Sequence, residues 1–317
     1  MGSATLMGGA SPRPAPTFLI APRRSGSAAL RHILVQHPRI MIAPDFDFLV
    51  DAITPEGRFL KREAFLRSIE FDSRFKRLGL TIPPGASFSG IAQSLIDQVA
   101  ATRPGASVVG ATLQHHFDRI LWLWPEARFI HMVRDGRDVA IANVRAGQAG
   151  NMWHGIANWV DTEALWDRMS HKLPPDRQFT IKYEALTSDP EYELRRLCGF
   201  LRLPFEPAML QQTGGLTSEP AGRWRKAEVA EISAAEHRAA RWLLQSGYFL
   251  SGTVRSPSFL RRGLLGIQDR VALANHRREQ FGTGLWLKGL MIGRFGTGRA
   301  KSRMKRRQYD ILSRQDD

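Results

Sequence analysis

Apolar positions in this chain fall into short blocks, and each block runs through a polar turn into residues spaced as on a helix. Phe18, Leu19 and Ile20 form a continuous apolar run, the mark of a strand buried on both faces, and Leu30, Ile33 and Leu34 recur behind it at helix period. Phe129 to Val133 repeats the strand, turn and helix sequence. From Gln178 to Glu184 the chain alternates like a strand. Ser188-Asp189-Pro190-Glu191 then carries helix-start signals, and Leu194, Leu197 and Leu201 supply the buried stripe. Residues 50 to 105 are mostly helical and of mixed charge, broken at Pro83-Pro84-Gly85, and a further helix is expected from about Ser233 to Gly247. Strands alternating with helices predict an α/β domain: a central parallel sheet with helices on both faces.

The first turn is Arg23-Arg24-Ser25-Gly26-Ser27-Ala28. It sits at a helix start, where the N–H groups of Ser25, Gly26, Ser27 and Ala28 converge with the positive end of the helix dipole and two arginines. Such a turn binds an anion. The nucleotide triphosphate loop G-x-x-x-x-G-K-[ST] fits poorly, because its frame puts Ala21 at the first glycine and Ser27 at the lysine. The second polar turn places Arg134 at the carboxyl end of a strand, the edge where open α/β sheets bind ligands. Its planar fork can bond two phosphate oxygens at once. Arg137, Asp135 and Asp138 are expected to form an ion-pair network that caps the following helix.

These stretches together resemble the sulfotransferases that use 3′-phosphoadenosine 5′-phosphosulfate, of bacterial and carbohydrate type. The resemblance rests on the R-R-S-G-S-A loop, on P-E-A-R-F-I-H-M-V-R-D-G-R-D-V-A from Pro125 to Ala140, on K-Y-E-A-L-T-S-D-P from Lys182, and on G-R-W-R-K from Gly222, and it covers roughly residues 17 to 250. It implies a P-loop-like α/β fold. In that comparison Arg23, Arg24, Ser25, Gly26, Ser27 and Ala28 hold the 5′-phosphosulfate, with Arg24 on the bridging oxygen, and Arg134 clamps the 3′-phosphate. Ala28 stands where the family has a threonine and Ala142 where it has a serine, leaving Asn143 as the substitute for the latter. Tyr183 falls near the adenine, Glu184 is structural, and Arg225 and Lys226 reach back over the 3′-phosphate; Trp224 reads as packing.

Sulfuryl transfer to a hydroxyl also needs a group that takes the acceptor's proton. In carbohydrate and tyrosyl sulfotransferases that group is a glutamate shortly after the first helix, and the run from His37-Pro38 places Asp45 at its position. Aryl and steroid enzymes use a histidine after a central strand, and His115 follows Val108-Val109 here. Asp45 is the first choice of base and His115 the second.

Composition narrows the remaining classes. One cysteine, Cys198, lies in a helical apolar stripe, and the nine histidines show no H-x-x-x-H pair, so neither a metal site nor a disulfide is expected. Residues 1 to 16 are Gly/Pro-rich and read as a disordered leader, residues 17 to 250 as the catalytic domain and residues 251 to 317 as a basic, partly helical extension. No stretch reaches the roughly 20 apolar residues of a membrane span, so a cytoplasmic protein is expected. Fifteen Lys/Arg against five Asp/Glu from Ser251 onward hold +10 of the +15 net charge. With the apolar stretch Phe281 to Phe295, in which Leu287, Leu290 and Met291 share a face, the extension is compatible with an anionic membrane surface, and equally with a cover over the domain, a contact with another subunit or a solvated basic tail. No nucleic-acid reading motif accompanies it. A hydroxyl-bearing acceptor is implied, while its identity and the oligomeric state have no code in the chain. Two alternatives stay open: a P-loop kinase-like enzyme, and a degenerate nucleotide-binding protein whose tail works at a membrane.

Overall fold

The structure is a computed structural model that describes residues 15–216, 220–252 and 254–295, with positions 300, 304 and 307. Most of the expected leader and most of the basic run Lys301–Arg307 lie outside the described residues. Five strands form one parallel sheet in the order β2-β3-β1-β4-β5, from β1 (Thr17–Ile20), β2 (Ile40–Ala43), β3 (Val108–Leu113), β4 (Arg128–Val133) and β5 (Gln178–Lys182). Strand β1 is central. It pairs on one side with β3 and on the other with β4.

Strand alternation divides the core between the two faces. Phe18 and Ile20 join Phe129, Ala111 and Leu113 on one face; Leu19, Ile130 and Met132 join Ile42 and Ile181 on the other. The second face is covered by α1 (Ser27–Leu34), whose Leu30, Ile33 and Leu34 are fully buried, and by the helices over Tyr183–Ser188 and Pro190–Leu201. The first face carries a helical layer of α2 (Asp47–Val50), α3 (Arg62–Ile69), α4 (Ser73–Arg77) and α5 (Phe88–Ala101), with Phe65, Ile91 and Leu95 in its core. The mixed-charge segment is thus helical, and its break falls between α4 and α5.

Helix α6 (Gly136–Arg145) follows β4 directly, and α7 (Met152–Gly155) and α8 (Ala157–Ser170) return along it. Strand β5 stops at Lys182, one residue before Tyr183, which opens α9 (Tyr183–Ser188) at the carboxyl edge of the sheet. Asp189 then caps α10 (Pro190–Leu201) by accepting from Tyr192 N–H. Helix α11 (Val229–Gln245) starts four residues before the expected Ser233, and with Trp159 and Trp224 closes a third core cluster. Cys198 is buried beside Met209.

The C-terminal extension is helical. It forms α12 (Phe259–Phe281) and α13 (Thr283–Phe295), and α12 docks on the domain: Leu265 is buried, its carbonyl accepts from Asn151, and Asp269 accepts from Gly150 N–H. A Cβ on Gly147, whose φ is +64°, would lie 2.3 Å from the His276 ring, so glycine there is what lets α12 approach. No helix among the described residues is long and apolar enough to cross a membrane.

Candidate functional site

Strands β1, β2, β3 and β4 all point their carboxyl ends at one edge, and the order around β1 makes that edge a topological switch point. A cleft of about 1190 Å³ opens there. Its floor is the turn after β1. Helix α1 has no side-chain cap and no acid in its first turn, and its first helical bond runs from Leu30 N–H to the Gly26 carbonyl, leaving the N–H groups of Ser27, Ala28 and Ala29 ahead of it. Gly26 takes φ +92° and Arg24 φ +66°, a left-handed conformation that a side chain tolerates only at a cost of about 1–2 kcal/mol. Ser25 differs from expectation. Its N–H closes the turn onto the Pro22 carbonyl, and its buried Oγ has no hydrogen-bond partner among the described residues.

Tyr183 and Arg134 pack against this turn and line the cleft beside it. The Tyr183 ring is 2% exposed and packs so closely on Gly26 that a Cβ there would lie 2.7 Å from it; its hydroxyl donates to the Leu216 carbonyl. Arg134, 1% exposed, stacks its guanidinium 4.3 Å from that ring and donates from Nη1 to the Arg24 carbonyl at 3.1 Å. The two arginine-bearing turns are therefore in direct contact. Arg134 itself is seated by Trp159, whose indole donates to its carbonyl.

Next to the cleft, Arg24, Arg134, Ala142, Arg145 and Arg223 line a smaller hollow of about 240 Å³. Arg223, missed by the motif reading, faces it; Arg225 and Lys226 are exposed and do not line either hollow. Asp138 explains the difference. Its carboxylate accepts the N–H groups of Gly222 (2.6 Å) and Trp224 (2.9 Å) and so fixes the 222–224 turn with Arg223 between them. Burial pushes the Asp138 carboxyl up, and these two N–H groups partly offset it. Asn143 donates to the Gly155 carbonyl and lines a different hollow, toward α12, while Ala142 faces the small one. Of the expected ion-pair network, Arg137 binds Asp135, but Asp138 is committed to the 222–224 turn and Glu236 is the second carboxylate on Arg137, which also stacks on Trp224; Glu184 braces the network from outside by accepting Asp135 N–H and the Tyr248 hydroxyl.

Asp45 stands on the opposite wall, after β2, with φ +41°. Gln114 links it to the turn: its amide donates to Asp45 Oδ1 at 2.8 Å, and its carbonyl oxygen accepts from Arg23 Nε at 2.7 Å. Arg77 approaches Asp45 Oδ2 at 3.3 Å. No short motif points to Gln114; only its position just past the end of β3 marks it. His115, next in sequence, turns away from the cleft. It bonds Asp51 at 2.7 Å and lies 3.5 Å from Asp47, and the Asp51 bond raises its affinity for a proton.

Comparisons with known proteins agree on one family. Residues 16–207 match the model of the sulfotransferase family. An uncharacterized protein of Aquifex aeolicus is 28% identical over 224 residues, 65% of this chain and 28% of that protein. The omega-hydroxy-beta-dihydromenaquinone-9 sulfotransferase Stf3 of Mycobacterium bovis is 31% identical over 97 residues, 26% of this chain and 25% of that enzyme. The chain thus spans about a quarter of the length of these curated relatives. Among solved structures, the sulfotransferase domain of the Synechococcus PCC 7002 olefin synthase superposes with a TM-score of 0.51 at 20% identity, covering 80% of this chain and 94% of that one. The sulfotransferase domain of the curacin biosynthetic pathway gives 0.50 at 20% identity, covering 76% and 100%. The fold is theirs, and with more than half its length matched by the family model, the chain belongs to the sulfotransferase family.

Proposed function

We propose that this protein transfers a sulfuryl group from 3′-phosphoadenosine 5′-phosphosulfate to a hydroxyl acceptor. The observation that carries the reading is the contact between the Arg24 and Arg134 turns, which puts two anion-binding hollows side by side, one at the start of α1 and one under Arg134 and Arg223. A nucleotide with phosphates on both its 5′ and 3′ oxygens spans such a pair. The buried, unpartnered Ser25 Oγ fits the same ligand, since a phosphate oxygen supplies the bond that the protein does not.

The residues then divide the work. The first-turn N–H groups of α1, with Arg23 and Arg24, hold the 5′-phosphosulfate and stabilise the charge that grows on the bridging oxygen as its bond to sulfur breaks. Arg134 and Arg223 hold the 3′-phosphate. Asp45, oriented by Gln114, takes the proton of the acceptor oxygen as that oxygen bonds to sulfur. Two site assignments gain less support from the geometry. Asn143 spends its amide on the Gly155 carbonyl, and the Tyr183 ring, though it lines the cleft, is packed tightly against Gly26 as a brace for the turn.

The extension has its own part in the reading. On α12, Leu260, Leu264, Ile267 and Val271 recur at spacings of four, three and four and are each 53–77% exposed, and Leu287, Leu290 and Met291 continue the apolar surface on α13. Exposed Arg261, Arg270, Arg277, Arg278 and Lys288 accompany them. An apolar stripe beside cations matches an anionic lipid surface, so the enzyme works peripherally on a membrane.

The transfer reading is tested by following labelled sulfate from the donor into pooled glycans, lipids and phenols. Wild type labels an acceptor and Asp45→Asn loses about 10²–10⁴ of the rate, the usual worth of a positioned base. Transfer by Asp45→Asn at the wild-type rate removes Asp45 as base; label carried from ATP in place of the sulfated donor removes the donor assignment.

A further inference from the structure

The wall of the cleft opposite the phosphate turn is built for charge. Arg67, Arg74 and Arg77 line it with Phe71 and with Asp45 and Asp72, the two carboxylates of the cleft lining among the described residues, while Arg31, one turn into α1, faces the same cleft from the side of the phosphate turn. A pocket for a phenol, a sterol or a prenyl chain is mostly apolar, with few polar groups. This one carries full charges on its walls instead.

The two aspartates are already committed. Asp72 holds Arg74 through both its oxygens, at 3.0 and 2.6 Å, and although burial opposes its ionisation, the Arg74 guanidinium keeps its carboxyl below the ordinary range. Asp45 is held by Gln114 and Arg77. Arg67 then has no hydrogen bond or ion pair to another described residue. Among the described residues the hydrogen bond of Arg31 is to the ring of His32, at 2.7 Å, and burial depresses the proton affinity of both side chains, Asp45 offsetting this in part for Arg31. Two cations therefore face the cleft without a carboxylate bound to either. Arg67 shares its wall with Arg77, whose contact with Asp45 ties that wall to the proposed base, and Arg31 faces the same cleft from α1.

We infer that the acceptor is itself an anion: a hydroxyl compound that carries a phosphate, sulfate or carboxylate group, gripped by Arg31 and Arg67 while its hydroxyl is presented to Asp45. The inference rests on the sulfuryl-transfer reading and gives it a substrate class. An anion arriving at this wall is stabilised twice, by charge-assisted bonds and by relief of the repulsion among clustered guanidinium groups. A neutral acceptor gains neither, and a cationic one is repelled.

The test separates this claim from the donor assignment. Full-length protein is first saturated with adenosine 3′,5′-bisphosphate, and the rise in melting temperature shows whether the donor side is occupied. Inorganic pyrophosphate is then titrated into that complex as an anionic probe of the far wall, in wild type, Arg67→Gln and Arg31→Gln/Arg67→Gln. The expected result is a second rise in wild type that weakens with added salt, and affinity for pyrophosphate lower by about tenfold in Arg67→Gln and lower again in the double variant. In parallel, label is transferred to matched neutral, aminated and phosphorylated or carboxylated alcohols, and the products fall in the anionic set. If the bisphosphate stabilises all three proteins alike but pyrophosphate adds nothing, or adds equally in the double variant, the far wall is not an anion site and the inference fails while the donor reading stands. Label appearing in neutral or aminated acceptors overturns it equally. If the bisphosphate itself does not stabilise wild type, the donor reading fails and the inference falls with it.

Discussion

Arg134 Nη1 donates to the backbone carbonyl of Arg24 across 110 residues of chain. One bond thereby ties the end of β4 to the turn after β1 and sets the spacing between two clusters of positive charge. The cost of holding Arg24 at positive φ, about 1–2 kcal/mol, is offset by this bond and by the ring of Tyr183 under the turn. In the proposed reaction the same contact keeps the N–H groups of the turn aligned on the donor.

Gly26→Ala is expected to damage both stability and donor binding. The new Cβ meets the Tyr183 ring at 2.7 Å and the backbone remains left-handed, so overpacking of about 1–3 kcal/mol adds to strain of about 1–2. Urea unfolding should show a lower midpoint at unchanged slope. A variant as stable as wild type would mean that Tyr183 does not brace the turn.

His115→Gln is expected to leave transfer intact, since the ring does not line the cleft, and to alter how stability depends on pH. Asp51 and Asp47 raise the proton affinity of His115 above its ordinary value of 6.5, against the opposing effects of burial and Arg74. Stability from the charged pair is therefore full below about 6.5 and lost as pH rises through the higher folded-state value. Asp51 is shifted the other way: burial raises it, His115 and Arg74 outweigh that, and its contribution is lost only in strong acid. Melting temperatures measured from about pH 6 to pH 9 should fall further for wild type than for the variant. Parallel curves would show that the pair contributes nothing, and loss of transfer would restore His115 as the base.

Much of this was legible in the chain because it is local. The turn at Arg23–Ala28, the strand ending in Arg134 and the capped helix after Asp189 each announce themselves within about ten residues, and the parallel sheet follows from how they repeat. What was not legible depends on contacts far apart in sequence. Gln114 earns its place only through Asp45 and Arg23, and Arg223 outranks Arg225 and Lys226 only because Asp138, 84 residues earlier, accepts the N–H of Gly222. Asn143 has the right chemistry one position from the expected serine, but a step of one residue on a helix turns a side chain by about 100°, and here it turns toward α7. Strand β2, four residues between proline-bearing turns, is too short to carry a periodic signal.

Leu264→Glu tests the membrane face. The residue lies at the middle of the exposed α12 stripe, away from buried Leu265, so the fold is expected to survive. Sedimentation with vesicles containing phosphatidylserine should capture wild type and lose the variant, and vesicles of phosphatidylcholine alone should capture neither well. Equal binding of both proteins would place the lipid contact elsewhere or nowhere.

The central claim is that one nucleotide bridges the Arg24 and Arg134 turns, and calorimetric titration of two ligands into two proteins tests it. Adenosine 3′,5′-bisphosphate and adenosine 5′-monophosphate differ only in the 3′-phosphate. Wild type is predicted to bind the bisphosphate tighter by about tenfold or more, and Arg134→Lys, which keeps the charge but loses the fork, to bind the two nearly alike. Equal affinity of wild type for the two ligands, or an unchanged preference in Arg134→Lys, would contradict the account.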